Sequence, residues 1–218
     1  MKPDAVESIR RDDWKTKPTD RFILRWIKVN LSARITPKLI GLQWLRPWMI
    51  TLCSATMGVF AGLIFALGWG GSAGICAALA QVLDGVDGQF SRLAGLQTKG
   101  GAFLDSVLDR YVDVALITGL VIYLIRLPAD FSFGLLLTIG FLALCGSSLI
   151  SYTTARAESL GIAMGKPTLA SKGTRTSVIV LCAWASTLWP AAPLLALVYL
   201  AVHPNIVVIR RILLAHGK

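Results

Sequence analysis

Acidic residues are scarce in this sequence. Twelve Asp and Glu stand against 22 Lys and Arg, and charged residues of both signs make up 16% of the 218 positions. A soluble domain carries nearer 25%, to within about a few per cent. Cysteine is equally sparse. Cys53, Cys76, Cys145 and Cys182 all lie in apolar runs with no Cys-x-x-Cys pair, which excludes a disulfide framework and argues against a thiolate metal site. The two histidines, His203 and His216, read as a packing residue and a solvated one. What fills the space is apolar: hydrophobic residues reach 55% and the mean hydropathy is +0.64. That excludes a disordered chain and argues against a water-soluble globule.

A membrane-spanning helix needs about 20 mostly apolar residues. Six runs approach this, from about Pro47 to Leu67, Ser72 to Asp84, Gly101 to Ile125, Phe133 to Ile150, Arg175 to Trp189 and Pro193 to Ile209. The expected fold class is therefore an all-α integral membrane protein with six transmembrane helices. Eleven of the basic residues precede the first run, and 20 of the 22 fall on one side of an even-numbered arrangement. Arg126 and Arg110 are the exceptions, the latter inside the third run. By the positive-inside tendency both termini then face the cytoplasm. The formal charge of +10 is read as a partner for anionic lipid, with no nucleic acid expected. No apolar core follows the first charges, so a secretory signal is not expected.

Ahead of the first run the character changes. Residues 1–18 are polar and are expected to be flexible. Residues 19–41 mix Phe22, Ile23, Trp26, Ile27, Leu31 and Ile35 with Arg21, Arg25, Lys28 and Arg34. This is the pattern of a basic amphipathic helix lying in the membrane interface, with Thr19 or Asp20 able to cap its start. Residues 42–218 then form one six-helix domain.

Five of the 12 acids, Asp84, Asp87, Asp105, Asp109 and Asp113, fall at or in the second and third runs. A charge at mid-bilayer costs about 3 kcal/mol on insertion scales, so five unpaired carboxylates would cost on the order of 15 kcal/mol. They must face a polar cavity, pair with cations or sit near the interface. Asp84 and Asp87 are i, i+3, and Asp105, Asp109 and Asp113 are i, i+4, i+8, so each set shares a helix face. If the two helices pack as an antiparallel hairpin, four carboxylates converge between them. Oxygen ligands without His or Cys suit Mg²⁺ or Mn²⁺, and four acids suit two such ions and phosphoryl chemistry. Gly85 and Gly88 would let a ligand approach the backbone, and Arg92 could meet a phosphate. Two other readings stay open on spacing alone: a cation or proton pathway, and Asp–Arg pairing for stability.

The run Asp84-Gly-Val-Asp87-Gly88-Gln-Phe-Ser91-Arg92, then eight residues to Gly101, three to Asp105 and three to Asp109, closely resembles the signature of the CDP-alcohol phosphotransferases, D-x2-D-G-x2-A-R-x8-G-x3-D-x3-D. Ser91 stands where that family has Ala. The resemblance implies transfer of a substituted phosphate from a CDP-linked donor to an alcohol with release of CMP, in phospholipid biosynthesis. It implies that Asp84, Asp87, Asp105 and Asp109 hold two divalent cations, Mg²⁺ or Mn²⁺, and that Asp109 is also the catalytic base. Asp84, Gly85, Gly88, Ser91 and Arg92 would line the CDP site. It further implies a CDP-linked lipid donor, an alcohol acceptor, a homodimer, and a cytoplasmic active site in a bacterial or archaeal-type membrane.

The segment Ser151-Tyr-Thr-Thr-Ala-Arg156-Ala-Glu-Ser-Leu-Gly161 is similar to one in the inositol-phosphate-using members, which would make Arg156, Lys172 and Arg175 candidates for the acceptor phosphate. Thr154 stands where those synthases commonly have Lys. The N-terminal run from Lys17 to Pro37 also looks similar to the synthase half of the di-myo-inositol phosphate machinery, where the donor is CDP-inositol.

Overall fold

The computed structural model describes residues 14–16, 22–42, 44–129, 131–162 and 169–216. Most of the expected tail over 1–18, the Thr19 and Asp20 cap and Lys166 lie outside these. The described residues are helical and contain no strand. Two short helices, α1 (Phe22–Ile27) and α2 (Ala33–Ile40), are joined by a π-helical stretch, Lys28–Ser32. Six longer ones follow: α3 (Pro47–Ala66), α4 (Gly70–Leu93), α5 (Lys99–Ile125), α6 (Phe133–Ser159), α7 (Lys172–Ala185) and α8 (Pro193–His216).

Among the described residues, α3, α6 and α8 are long and apolar enough to cross a membrane. The other three depart from that pattern for identifiable reasons. In α4 the apolar run is diluted by glycine and ends in Asp84 and Asp87, and α5 carries Asp105, Asp109, Arg110 and Asp113. The helix α7 stops at Ala185 where the apolar run continues to Trp189, because residues 186–188 turn. At 1.5 Å per residue its 14 residues reach about 21 Å, short of a hydrocarbon core of about 30 Å.

Small residues decide how closely the helices approach. On α3, Gly58 and Gly62 are four apart and face Val112 and Ala115 of α5, and a Cβ on Gly119 of α5 would strike the Gly62 carbonyl. Backbones meet here because neither side carries a side chain to separate them. Ser54 Oγ of α3 donates to the Ala80 carbonyl of α4 at 2.9 Å. Thus α3 packs against both α4 and α5, while those two make little direct approach to each other. The two acid-bearing helices do not pack directly as the expected hairpin: each packs chiefly on α3, and their carboxylates meet across the space that remains. Gln81 Nε2 of α4 donates to the Gly173 carbonyl and Ser177 Oγ of α7 at 2.8 and 3.0 Å, so α7 closes a third side. The core joins Phe65, Leu116, Leu120, Leu124, Leu197 and Leu200 around these helices, and α6 packs on α8.

The first two helices and the stretch between them turn three polar residues inward and leave Arg25, Arg34 and Lys38 exposed. Lys28, Ser32 and Thr36 are buried against α4, with Ser32 Oγ donating to the Val82 carbonyl at 2.9 Å and Thr36 Oγ1 to Gln89 Oε1 at 2.8 Å. Ile23, Trp26, Val29, Leu31 and Ile35 are exposed on the other sides. On the long helices Phe60, Leu63, Phe141, Leu195 and Ile206 likewise face outward, the arrangement a lipid surround requires.

Candidate functional site

The connection over residues 94–98 is short, and Thr98 caps α5 by accepting the Gly101 N–H at 3.0 Å. This fixes where α5 starts and hence which turns carry its acids. Asp105 and Asp109 then face Asp84 across the space that remains between the helices. Carboxylate oxygens of Asp84, Asp105 and Asp109 all lie within 4.8 Å of one another. Three like charges so close repel unless a cation joins them. Lys172, the first residue of α7, supplies one: its ammonium donates to Asp84 Oδ1 at 2.6 Å and to Asp109 Oδ1. A narrow cavity runs from these groups toward Gly58 and Leu116, with Thr51, Ser54 and Gln81 among a mostly apolar lining.

Asp87, one turn after Asp84, is buried and points into a second, larger groove of about 820 Å³. Asp105 borders both spaces, so the acidic cluster forms the wall between them. Gly88, Ser91 and Arg92 line the groove with Trp48 and residues 97–102. The Ser91 hydroxyl donates to the Asp87 carbonyl at 2.8 Å. It is thus satisfied by its own helix, which accounts for Ser serving at a position where Ala would do. Gly85 faces elsewhere: it is buried against Lys28 and Ser32, where a Cβ would strike Ser32 Oγ. Its bareness admits the N-terminal helices rather than a ligand.

The three basic candidates separate. Lys172 is in the acidic cluster. Arg175 is 1% exposed, with Nη2 2.7 Å from Asp113 Oδ2 and Nη1 donating to the Ala170 carbonyl at 2.7 Å. Arg156 is exposed in the last turn of α6. Two further arginines stand out: Arg110, which the Asp–Arg pairing reading includes with Arg92, and Arg211, which the sequence does not single out. Arg110 bridges α5 to α6: Nη1 is 3.2 Å from Asp113, donates to the Ser147 carbonyl at 3.2 Å and meets Ser151 Oγ, while Nη2 is 4.0 Å from Asp109. Arg211 of α8 donates to the Ile150 carbonyl and to Thr153 and Thr154 hydroxyls at 2.7, 2.8 and 2.9 Å. The one available signal was charge inside an apolar run, which marks Arg110 but not its partners.

The arrangement divides the charge by depth. Asp113 is paired with two guanidiniums, Arg110 and Arg175, both at Oδ2. Asp84 and Asp109 share the Lys172 ammonium, Asp109 also lies 4.0 Å from Arg110 Nη2, and Asp84, Asp105 and Asp109 bring their carboxylate oxygens together. Their donor set is oxygen only, which fits a hard divalent ion.

The CDP-alcohol phosphatidyltransferase profile matches residues 44–204. A bifunctional IPC transferase and DIPP synthase of Aquifex aeolicus is 37% identical over 161 residues, covering 71% of this chain and 35% of that protein. The chain thus spans about a third of the length of such bifunctional relatives. A phosphatidylinositol phosphate synthase of Cutibacterium acnes is 29% identical over 150 residues, covering 66% of this chain and 67% of that one. Among solved structures, the Mycobacterium tuberculosis phosphatidylinositol phosphate synthase with CDP-DAG bound superimposes with a TM-score of 0.72 at 26% identity, covering 84% of this chain and 92% of that one. The same enzyme in complex with manganese and citrate gives 0.73 at 25% identity over 84% and 88%. A profile that spans most of the chain and includes the aspartates that the helices bring together leaves one assignment: the chain belongs to the CDP-alcohol phosphatidyltransferase family.

Proposed function

We propose that this chain transfers a substituted phosphate, the phosphatidyl group of a CDP-linked lipid, to an alcohol and releases CMP. The observation that carries the reading is the convergence of Asp84, Asp105 and Asp109 within 4.8 Å, beside a groove that holds Asp87, Gly88 and Arg92. The groove's volume of about 820 Å³ is in the range of nucleotide-sized sites.

Asp84, Asp87, Asp105 and Asp109 would hold two divalent ions, Mg²⁺ or Mn²⁺; when bound, these neutralise the donor's diphosphate and the departing CMP. The chain's own groups do the rest. Arg92 binds a diphosphate oxygen, and Gly88 lets the nucleotide lie close to α4. The acceptor's hydroxyl oxygen forms the new bond to the lipid-linked phosphorus as the bond from that phosphorus to the CMP oxygen breaks. Asp109 accepts the hydroxyl proton, a role that depends on position more than on intrinsic basicity. Lys172 steadies Asp109 and Asp84. Arg156 is available to an acceptor's phosphate, and Arg175 acts from behind through Asp113.

The fold reading completes this. Helices α3–α8 make the six crossings, the short α7 completing its own through the turn at residues 186–188 that follows it, with both termini and the acidic end at the cytoplasmic face; two copies associate, and the exposed Trp26 and Ile35 side of the N-terminal helices rests among lipid headgroups. A CDP-lipid could then keep its acyl chains in the bilayer while its diphosphate reaches the aspartates.

A second reading has its own support. The relatives that are 37% and 31% identical over 161 and 157 residues are bifunctional IPC transferase and DIPP synthases, which favours CDP-inositol as donor. The deciding experiment incubates purified protein and Mg²⁺ with CDP-diacylglycerol or CDP-inositol, each against inositol phosphate, inositol, glycerol phosphate and serine, with CMP as readout. CMP from CDP-diacylglycerol supports the first reading and CMP from CDP-inositol alone the second. No CMP from any pair refutes both.

A further inference from the structure

Residues 14–16 lie outside the family-matched span of 44–204, yet they are bonded to the groove. Arg92 Nε donates to the Trp14 carbonyl at 2.9 Å, and Gln89 Nε2 donates to the next carbonyl, Lys15, at 2.8 Å. Gln89 and Arg92 are i, i+3 and so neighbours on α4. Two consecutive peptide carbonyls are therefore read by two adjacent side chains of one helix.

Gln89 is the fixed point. It is 0% exposed. Its Nε2 also donates to the Lys28 carbonyl at 2.9 Å, and its Oε1 accepts from Thr36 Oγ1 at 2.8 Å. A buried amide with both donors and its acceptor engaged is held in one orientation. Residues 14–16, the first two helices and α4 are tied together at this one side chain.

The consequence falls on Arg92. Holding Nε from the stem side sets the plane of the guanidinium. In that plane Nη1 and Nη2 lie over Gly88, 3.4 and 3.8 Å from where a Cβ would sit, and both residues line the groove. A long side chain left to rotate must be ordered when it binds, which lowers affinity; a chain ordered in advance avoids that loss.

We propose that the segment 14–16, locked by Gln89, is a positioning element of the donor groove that orients Arg92 over Gly88 toward the diphosphate of a CDP-linked donor. Gln89 is thereby a positioning residue for the reaction, and the inference rests on the donor reading above.

The test measures CMP release with donor and acceptor varied separately. It compares the wild type, Gln89→Leu, the chain lacking residues 1–16, Arg92→Lys, and Arg92→Lys in the shortened chain. Losing one orienting hydrogen bond is expected to raise the donor KM roughly fivefold or more in Gln89→Leu and in the shortened chain. The acceptor KM should stay unchanged and kcat should stay within about twofold. Lysine has no Nε–H to offer Trp14, so shortening should add nothing in the Arg92→Lys background. An unchanged donor KM, a loss confined to kcat, or the same added KM increase in both backgrounds overturns the inference while leaving the donor reading intact. A wild type that releases no CMP from any CDP-linked donor removes both. Gln89→Leu carries the test if the shortened chain does not fold, and melting temperature in detergent reports which of the two does.

Discussion

Replacing Asp113 by Asn should destabilise the protein more than any other single change among the acids. Asp113 is 7% exposed and Arg175 1% exposed, and they meet at 2.7 Å. Arg175 Nε has no hydrogen-bond partner among the described residues, and Nη1 already serves the Ala170 carbonyl. Asp113 is therefore the carboxylate that neutralises this guanidinium, with Arg110 sharing the same Oδ2 at 3.2 Å. Removing the charge strands a buried cation, and breaking a buried pair in this way costs about 3–5 kcal/mol. For a chain of 218 residues that corresponds to a fall in melting temperature of roughly 6–20 °C. The assay is thermal unfolding in detergent by circular dichroism at 222 nm. Adding Arg175→Met to Asp113→Asn should recover a large part of the loss, because the stranded charge is gone. An unchanged melting temperature in Asp113→Asn, or no recovery in the double variant, would refute the reasoning that Asp113 exists to neutralise Arg175.

Gly62→Val should prevent assembly of α3 on α5, since a Cβ there strikes the Ala115 carbonyl; aggregation on size-exclusion chromatography is the expected readout, and a normal elution would contradict the close approach. Ser91→Ala should leave CMP release within about twofold, because the hydroxyl it removes is spent on the Asp87 carbonyl and such local bonds contribute little. Lys172→Met should raise Mn²⁺ affinity roughly tenfold, measured by electron paramagnetic resonance of free Mn²⁺. Its ammonium bonds two of the carboxylates that would bind the ion, and a like charge a few ångström away costs an ion about 1 kcal/mol or more even at high effective dielectric. Unchanged affinity would show that ammonium and ion use different oxygens.

The acids were readable because their spacing is a helical one: i, i+3 and i, i+4 steps force Asp84 with Asp87, and Asp105 with Asp109, to one face each. The starts of α3 and α8 at Pro47 and Pro193 follow from proline at the first helical turn and agree with the apolar runs. Packing between helices was not readable in the same way. Nothing in the spacing of Asp84 and Asp109 says that their helices pack chiefly on α3; on the α5 side that follows from Gly58, Gly62 and Gly119, whose effect appears only when two backbones meet. Gly85 reads as a ligand-facing position for the same reason, since the neighbour that it admits, Ser32, is 53 positions earlier in the sequence. Lys172 and Arg175 look alike in sequence, three apart at the start of one helix. One turned toward Asp84 and the other toward Asp113, because α7 packs against α4 and places its first turn between the two acidic layers. In the N-terminal helices Lys28, Ser32 and Thr36 turn to protein, where Thr36 and Gln89 meet, while Arg25 and Arg34 stay exposed beside Trp26 and Ile35.

The central claim is that carboxylates from α4 and α5 together bind divalent cations needed to cleave a CDP-linked donor. Its most direct measurement is Mn²⁺ binding, by electron paramagnetic resonance, set beside CMP release for the wild type, Asp84→Asn on one helix and Asp105→Asn on the other. The account predicts that each substitution weakens Mn²⁺ binding and abolishes CMP release together, with melting temperature held. Full Mn²⁺ affinity and turnover in either variant would contradict it.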